Sequence, residues 1–284
     1  MKLTHLLSAS FLSLFSTFAL SASFTFTAIP DEDESQLRTR FDKVAVYLSE
    51  QLGVDVKYVP VKSYSAAVTA FRNNQVQLAW FGGLSGVQAR RLVPGSEAIA
   101  QGFEDQSFKS YLIAHHSTDI IPSEKFPSLN DYTFTFGSKD STSGRLMPQY
   151  FIERNLGKPI EQIFKRIGFS GDHSRTISQV EAGVYQVGAV NYKVWDTTVE
   201  KGEVDTSKVK VIWESPSYPD YQWTVRAGVD DDFGAGFKQK LTQVLIGMTD
   251  KDLLASFPRA SFVPAQNKDY EPIEQVAKTI GMLD

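Results

Sequence analysis

The sequence predicts an α/β protein folded as two lobes. Short apolar runs of strand length alternate with amphipathic helical patterns, which is typical of α/β proteins with mostly parallel sheets. The runs give about nine strands, too many to fit comfortably in one sheet, yet no long linker divides them. A chain that leaves a first lobe, builds a second and then returns explains both observations. A single doubly wound domain is the alternative.

The two expected crossings between the lobes lie near residues 110–116 and 213–223. The first lobe would then combine residues 24–110 with residues 216–284, and the second lobe would comprise residues 111–215. Two crossings make a hinge, and ligands bind between lobes that close around one. We therefore expect the ligand site in the cleft between the lobes.

Each predicted strand is a mostly apolar run of strand length. The strands are Phe24–Ile29, Val54–Val61, Val76–Gly82, Ala98–Gly102, Tyr111–Ala114, Tyr132–Gly137, Val187–Asn191, Val209–Trp213 and Gln222–Val225. The helices have apolar residues at helical spacing, as in Leu37, Phe41 and Val44. They are Glu34–Gln51, Ser65–Asn73, Ser143–Leu156, Ser174–Ala182, Phe237–Met248 and Tyr270–Ile280.

Residues 1–23 have the pattern of a secretory signal peptide. Lys2 and His5 precede an apolar, serine-rich run from Leu6 to Leu20, and small residues follow, so cleavage is expected after Ser21 or Ser23. The run is shorter than the ~20 residues that span a bilayer, although an uncleaved anchor is the alternative. We therefore predict an exported protein.

The composition excludes several classes of function. The chain has no cysteine, which removes thiol nucleophiles, thiolate metal sites and the residue that a lipid anchor needs after a signal peptide. A net charge of −4 gives no basic surface for nucleic acid, although a single pocket can still bind an anion. We predict a monomer in the periplasm, without a lipid anchor, cofactor or metal.

The most informative segment follows the predicted strand Tyr132–Gly137. Ser141, Thr142 and Ser143 place three hydroxyl groups at the start of a helix, beside backbone N–H groups without a partner in the helix. Unpaired amides and the helix dipole both favour negative charge there. The pattern indicates an anion site, and a serine N-cap without a ligand is the common alternative.

Other strand–helix junctions repeat this pattern. His173 begins a helix after a glycine turn and could donate to an oxyanion as a neutral or a protonated imidazole; a capping or surface histidine is the alternative. Gly82 and Gly83 follow an apolar strand, and Tyr64 begins a helix with a hydroxyl able to donate. Several such junctions fit one anion better than unrelated helix caps.

Because these motifs follow one another in the order and at the spacing typical of one family, the chain resembles the phosphonate/phosphite-type family of periplasmic binding proteins. The resemblance spans nearly the whole chain and rests on residues 63–68, 76–83, 141–144, 171–173 and 210–216. It implies the two-lobed periplasmic-binding-protein fold, type II-like, which closes as a hinged trap. It also implies that Ser141, Thr142, Ser143, His173 and Tyr64 hold the anion. The implied partner is the membrane permease of an ABC importer.

The chain departs from this family at several positions. Phe108 stands where phosphonate binders have an aromatic hydroxyl. Of the two acids that bind a ligand amine in aminophosphonate binders, one is replaced by Val194 or Trp195, and Tyr221 beside Asp220 stands near the other. An aminoalkylphosphonate is therefore disfavoured, and the aromatic residues suit a compact ligand. These aromatic residues are Tyr192, Trp195, Tyr218, Tyr221 and Trp223. Residues 168–175 and 218–223 look most like a branch named for selenate binding.

Asp220 bears on which oxyanion binds. A carboxylate in the pocket accepts a hydrogen bond from a protonated phosphorus oxyanion and repels a fully ionised sulfate or selenate. If Asp220 faces solvent instead, as an aspartate after a proline commonly does, a pocket of donors alone would admit sulfate or selenate. The sequence leaves both alternatives open.

A secreted serine hydrolase is the remote alternative, since Ser141 or Ser143 could pair with His173. However, no G-x-S-x-G motif surrounds these serines. The acidic run of residues 31–34 is interpreted as charging and capping the helix that follows, rather than as a cation site. The sequence therefore favours a binding protein over an enzyme.

Overall fold

The computed structural model describes residues 23–284, whose strands form two separate sheets. The strands of the first sheet are β1 (Phe24–Ala28), β2 (Val56–Tyr58), β3 (Leu78–Phe81), β4 (Glu97–Gly102), β10 (Gln222–Val225) and β11 (Phe262–Pro264), in the order β11-β4-β10-β3-β1-β2. Those of the second are β5 (Ser110–His115), β6 (Thr133–Phe136), β7 (Arg166–Phe169), β8 (Val187–Asn191) and β9 (Val209–Glu214), in the order β7-β6-β8-β5-β9. The predicted two-lobed α/β class is confirmed.

The prediction of mostly parallel sheets is wrong, because both sheets are mixed. Strand β1 is parallel to β2 and β3, and β6 is parallel to β7 and β8, but β5 and β10 are antiparallel to both of their neighbours. Each of these two strands follows a crossing and starts at the cleft. Ser110 of β5 pairs with Asn191 at the end of β8, and Gln222 of β10 pairs with Phe81 at the end of β3.

The predicted helices form with ends within about two residues of those expected. The helices are α1 (Glu34–Leu52), α2 (Tyr64–Arg72), α3 (Gly83–Leu92), α4 (Met147–Leu156), α5 (Ile160–Ile163), α6 (His173–Glu181), α7 (Tyr192–Glu200), α8 (Val229–Phe233), α9 (Phe237–Ile246), α10 (Lys251–Ser256) and α11 (Glu271–Thr279). Helix α3 was expected after Gly83 without bounds, and four helices were not predicted: α5, α7, α8 and α10. Three of them are too short to show a helical period, and α7 is rich in β-branched residues.

The predicted helix Ser143–Leu156 begins with a wider π-helical turn, Thr142–Leu146, before α4. Pro148 has no N–H, so it cannot donate to the carbonyl of Gly144, four residues earlier. That carbonyl instead accepts from Gly137 N at 2.9 Å, which ties the turn to the end of β6. The turn together with its N-cap, Ser141–Leu146, is called the Ser141 turn below.

The chain crosses between the lobes at residues 103–109, the first crossing, and at residues 215–221, the second crossing. The first crossing precedes the expected residues 110–116, because residues 110–115 already form β5 of the second sheet. The two crossings pair side by side, with Phe108 N donating to Tyr218 O at 2.8 Å and Tyr218 N donating to Phe108 O at 3.0 Å. A buried ion pair between Arg259 and Asp105, at 2.7 Å, packs behind them. All strands of the second sheet fall within residues 110–214; the exact lobe boundaries stay a prediction.

Within residues 23–284, no helix is long and apolar enough to cross a membrane. The predicted signal peptide falls outside the described residues except for Ser23.

Candidate functional site

A cluster of buried polar side chains lies between the lobes, and the Ser141 turn supplies hydroxyl groups to it. The cluster consists of Tyr64, Ser141, Thr142, Ser143, His173 and Asp220. Ser141, Thr142 and Ser143 are all buried. Ser141 is the N-cap of the turn, and its Oγ accepts the N–H of Gly144 at 2.9 Å. Because that oxygen already accepts, its own proton is left to donate elsewhere. The turn therefore presents a hydroxyl donor and unpaired helix amides, which is what an anion requires.

Gly144 brings this turn against the start of α6. A Cβ atom at Gly144 would lie 2.9 Å from Cε1 of His173 and 3.0 Å from Oγ of Ser141. Carbon atoms do not approach this closely, so a side chain here would push the imidazole and the turn apart. The absence of a side chain at Gly144 lets His173 and Ser141 converge.

His173 is fully buried at the first position of α6. Its Nδ1 accepts the N–H of Asn191 at 3.3 Å, so the ring proton resides on Nε2. Burial lowers the pKa of His173 to about 3, so the imidazole is neutral at neutral pH. Nε2 is buried without a hydrogen-bond partner among residues 23–284. The structure therefore makes His173 a neutral donor.

Tyr64 reaches the cluster from the first lobe. It is the first residue of α2, whose N-cap Ser63 accepts the N–H of Ala66 at 3.1 Å. Its phenolic oxygen is buried and has no hydrogen-bond partner in the described part of the chain. Burial, with the carboxyl of Asp31 nearby, raises its pKa well above the ordinary value, so it stays protonated. Tyr64 is thus a second donor without a partner.

Asp220 lies in the cluster rather than at the surface. It is buried in the second crossing, and its Oδ1 accepts Gly83 N at 2.9 Å. Burial raises its pKa to about 7, against the effect of donors from Gly83, Thr142 and Ser143. Its Oδ2 has no hydrogen-bond partner within residues 23–284. Asp220 can therefore accept from a ligand when ionised or donate to it when protonated.

The glycine junction at the start of α3 has a different role from the junctions at Ser141 and His173. Gly83 N donates to Asp220, and Leu84 N donates to Thr142 Oγ1 at 3.0 Å. These two N–H groups are thus already bound by the protein. A Cβ at Gly82 would lie 3.1 Å from Asp220 Oδ1 and 3.2 Å from Thr142 Oγ1. Gly82 and Gly83 therefore lie against the cluster and help to position Asp220 and Thr142.

Aromatic residues form the wall behind the cluster. The hydroxyl of Tyr221 accepts from Asn191 Nδ2 at 2.9 Å, and its ring stacks on Trp80 with centroids 5.6 Å apart. Phe108 is fully buried 5.3 Å from the Tyr221 ring and 4.8 Å from the Tyr192 ring. Among the described residues, Tyr192 makes no hydrogen bond to the cluster. Phe108 and Tyr192 therefore support the wall and bring no polar group to it.

Sequence reasoning missed Asp31, which is buried where the chain leaves β1. Its backbone oxygen accepts the N–H of His173 at 3.0 Å, which joins the two lobes. Burial raises the pKa of its carboxyl, and Tyr221 is its hydrogen-bonding neighbour. The interpretation of residues 31–34 as a helix cap holds for Asp33, which accepts Ser35 N at 2.9 Å, but not for Asp31. Its place at the end of a parallel strand was the available signal.

The arrangement can bind an oxyanion but lacks the parts of a serine hydrolase. A general base needs a free lone pair, whereas Nδ1 of His173 is occupied by Asn191 and Nε2 carries the proton. Within residues 23–284, no group of three or more acidic, histidine or cysteine residues could hold a metal ion. A surface cleft of about 350 Å³ opens beside the cluster, lined by residues of both lobes that include Ser63, Asp172 and Arg175.

The chain is similar to proteins of known function over most of its length. Residues 26–270 match the family of periplasmic substrate-binding proteins of phosphonate ABC transporters. PhnD1 of Prochlorococcus marinus (strain MIT 9301), a probable ABC transporter phosphite binding protein, is 39% identical over 265 residues, covering 90% of this chain and 89% of that protein. The phosphonates-binding periplasmic protein of Escherichia coli (strain K12) is 26% identical over 199 residues, covering 68% and 58%.

Solved structures agree with this similarity. The structure of PhnD1 from Prochlorococcus marinus (MIT 9301) in complex with methylphosphonate has a TM-score of 0.88 at 37% identity, covering 92% of this chain and 99% of that chain. A binding protein component of an ABC phosphonate transporter from Pseudomonas aeruginosa has a TM-score of 0.78 at 23% identity, covering 90% and 85%, and supports the fold alone. These relatives are transport proteins, and none of them is named for selenate.

Proposed function

The chain belongs to the periplasmic substrate-binding proteins of ABC phosphonate transporters, and on that premise we propose that it captures a small tetrahedral oxyanion of phosphorus. Membership places the chain in the periplasm and implies a cognate permease, to which the loaded protein delivers its ligand. The signal peptide, the absence of a lipid anchor and the monomeric state stay predictions.

One observation carries the proposal: three polar atoms of the cluster are buried without a hydrogen-bond partner among residues 23–284, and they come from three different parts of the chain. They are Oη of Tyr64 in the first lobe, Nε2 of His173 in the second, and Oδ2 of Asp220 in the second crossing. Buried polar groups in proteins are nearly always hydrogen-bonded, so such a set points to a ligand that satisfies them. Two donors and one carboxyl group match a tetrahedral oxyanion that carries one proton.

The carboxyl group of Asp220 favours phosphorus over sulfur. A buried carboxylate and a buried oxyanion repel each other unless a proton lies between them. Phosphonate, phosphite and phosphate can carry that proton near neutral pH, whereas sulfate and selenate cannot. With sulfate or selenate the proton must come from Asp220, and because the pKa of that carboxyl is about 7, protonating it costs more free energy as the pH rises above neutral.

The aromatic wall favours a small substituent on phosphorus. Tyr221 is held by Asn191, Trp80 and Phe108, so it cannot swing away without breaking these contacts. The solved relative PhnD1 carries methylphosphonate, a ligand of this size. We therefore infer methylphosphonate or phosphite as the ligand class, ahead of an aminoalkylphosphonate. Selenate is kept as an outcome of the test.

The test is thermal unfolding of the purified protein with a panel of anions: phosphite, methylphosphonate, phosphate, aminoethylphosphonate, sulfate and selenate. A ligand at a hundred times its dissociation constant adds about 2.7 kcal/mol of stability, which raises the midpoint by several degrees. We expect phosphite or methylphosphonate to give the largest shift at pH 7.5. A shift with selenate or sulfate alone would transfer the assignment to those anions, and no shift with any anion would refute it.

A further inference from the structure

Ser110, the first residue of β5, joins the anion-binding turn to the hinge through its side chain. Its Oγ lies 2.7 Å from the backbone oxygen of Ser143 and 2.5 Å from the phenolic oxygen of Tyr218. Ser143 belongs to the Ser141 turn, and Tyr218 belongs to the second crossing. All three residues are buried, so water does not compete for these contacts.

The direction of the hydrogen bonds follows from the groups involved. The carbonyl oxygen of Ser143 can only accept, so the hydroxyl proton of Ser110 is committed to it. Ser110 Oγ must then accept from the hydroxyl of Tyr218. Burial raises the pKa of Tyr218 well above its ordinary value, so this phenol keeps its proton. The relay therefore runs from Tyr218 through Ser110 to Ser143.

Further hydrogen bonds hold the relay in place, both at the hinge and at the Ser141 turn. At the hinge, Ser215 N donates to Ser110 O at 3.0 Å and Ser110 N donates to Ser215 Oγ at 2.9 Å. At the turn, Ser143 and Gly144 share one peptide plane. Its carbonyl oxygen is held by Ser110, and its N–H is held by Oγ of Ser141 at 2.9 Å. The relay thus fixes the orientation of the peptide that positions the hydroxyl of Ser141.

We propose that Ser110 is a positioning residue of the anion site, and that the Tyr218–Ser110–Ser143 relay couples occupation of the Ser141 turn to closure of the hinge. The inference rests on the proposed function and adds to it a connection between ligand and hinge. Without the Ser110 hydroxyl, the carbonyl of Ser143 loses this buried donor, and the peptide plane is held from the turn side alone, by its N–H on Ser141 Oγ.

The experiment compares Ser110→Ala and Tyr218→Phe with Ser217→Ala, which removes an exposed hydroxyl of the same crossing, beside Tyr218 and outside the relay. Calorimetry with methylphosphonate and phosphite gives the affinity. Hydrogen exchange at saturating methylphosphonate gives the protection of amides in residues 215–221. We expect Ser110→Ala to weaken binding by roughly fivefold to tenfold and Tyr218→Phe by about twofold to threefold, with Ser217→Ala near the unchanged protein.

The exchange measurement separates coupling from simple stabilisation. Ligand should protect residues 215–221 in the unchanged protein and in Ser217→Ala, but not in Ser110→Ala at equal saturation. The double variant Ser110→Ala/Tyr218→Phe should bind as Ser110→Ala does, because both residues act through Ser143.

Unchanged affinity and unchanged protection in Ser110→Ala would overturn the relay, while binding by the unmodified protein would still support the proposed function. If Ser110→Ala does not fold, Tyr218→Phe decides the question by the same two measurements. An unmodified protein that binds no anion contradicts the proposed function, and this inference with it.

Discussion

The carboxylate oxygen Oδ1 of Asp220 accepts the backbone N–H of Gly83 at 2.9 Å. Both residues are buried where the second crossing meets the start of α3. A helix N-terminus favours negative charge, so this contact stabilises the ionised form of Asp220 and opposes part of the effect of burial. The same carboxyl turns its other oxygen, which has no partner among residues 23–284, toward the cluster. Asp220 is therefore a fixed part of the fold whose second oxygen is available to a ligand, and on the proposed function it discriminates among anions.

Asp220→Asn should change the selectivity for anions. The amide can keep an oxygen toward Gly83 and present N–H donors to the ligand, so it no longer accepts from a protonated oxyanion and no longer repels an ionised one. We expect the ratio of methylphosphonate to sulfate affinity at pH 7.5 to fall at least tenfold, measured by calorimetry. An unchanged ratio would mean that the carboxyl does not contact the ligand.

Ser141→Ala/Ser143→Ala should weaken binding of the cognate anion by at least tenfold. Hydrogen bonds to a charged group contribute roughly 1.5–3 kcal/mol each. Ser138→Ala is the matched control, because Ser138 lies in the same loop and its hydroxyl only accepts Asp140 N at 3.4 Å. Calorimetry gives the affinity and thermal unfolding checks the fold. A double variant that binds like the control would remove these hydroxyls from the site.

Gly144→Ala should abolish or strongly weaken binding, because the new Cβ would lie 2.9 Å from the His173 ring and 3.0 Å from Ser141 Oγ. Gly137→Ala is the comparison, since its Cβ would meet its nearest atom at 3.4 Å, an ordinary contact. We expect a loss of at least tenfold in affinity for Gly144→Ala and near-normal binding for Gly137→Ala. Equal affinities in the two variants would show that the convergence of His173 and Ser141 is not needed.

His173 should contribute to the acid sensitivity of the fold. Its pKa is lowered to about 3 in the folded protein and is about 6.5 when unfolded, so the unfolded state binds more protons between these values. The free energy of unfolding should therefore fall by up to about 1.4 kcal/mol per pH unit as the pH drops below 6.5. The raised pKa values of Asp31 and Asp220 act in the opposite sense.

The comparison of the unchanged protein with His173→Asn isolates this contribution, because the carboxyl groups are common to both. Denaturant unfolding between pH 4 and pH 7 should show a smaller loss of stability in His173→Asn, and the exposed His116→Asn should behave as the unchanged protein. Over pH 6–8 the anion affinity should show no titration of His173, since it donates as a neutral imidazole. Asp220 and the ligand also exchange protons in this range, so His173→Asn is again the comparison. A fall in affinity near pH 6.5 that occurs in the unchanged protein and disappears in His173→Asn would require a protonated His173 and contradict the structure.

Much of the fold could be predicted because it depends on local patterns. The period of apolar residues located the long helices such as α1, and apolar runs located strands such as β8, whose predicted and observed ends coincide. Strand β11 was missed because three residues carry too little pattern. The direction of β5 and β10 was also missed, since a strand's own sequence does not say from which side the chain enters the sheet.

The sequence by itself determined the elements and the junctions that begin with Tyr64, Gly83, Ser141 and His173, because a helix start after a strand is a local property. Only the tertiary structure decided which groups remain free at those junctions. The tautomer of His173 depends on Asn191, and the orientation of Asp220 depends on Gly83, 137 residues earlier. Hydrogen bonds between distant segments assign each donor and acceptor, and such pairings leave no periodic trace in the chain.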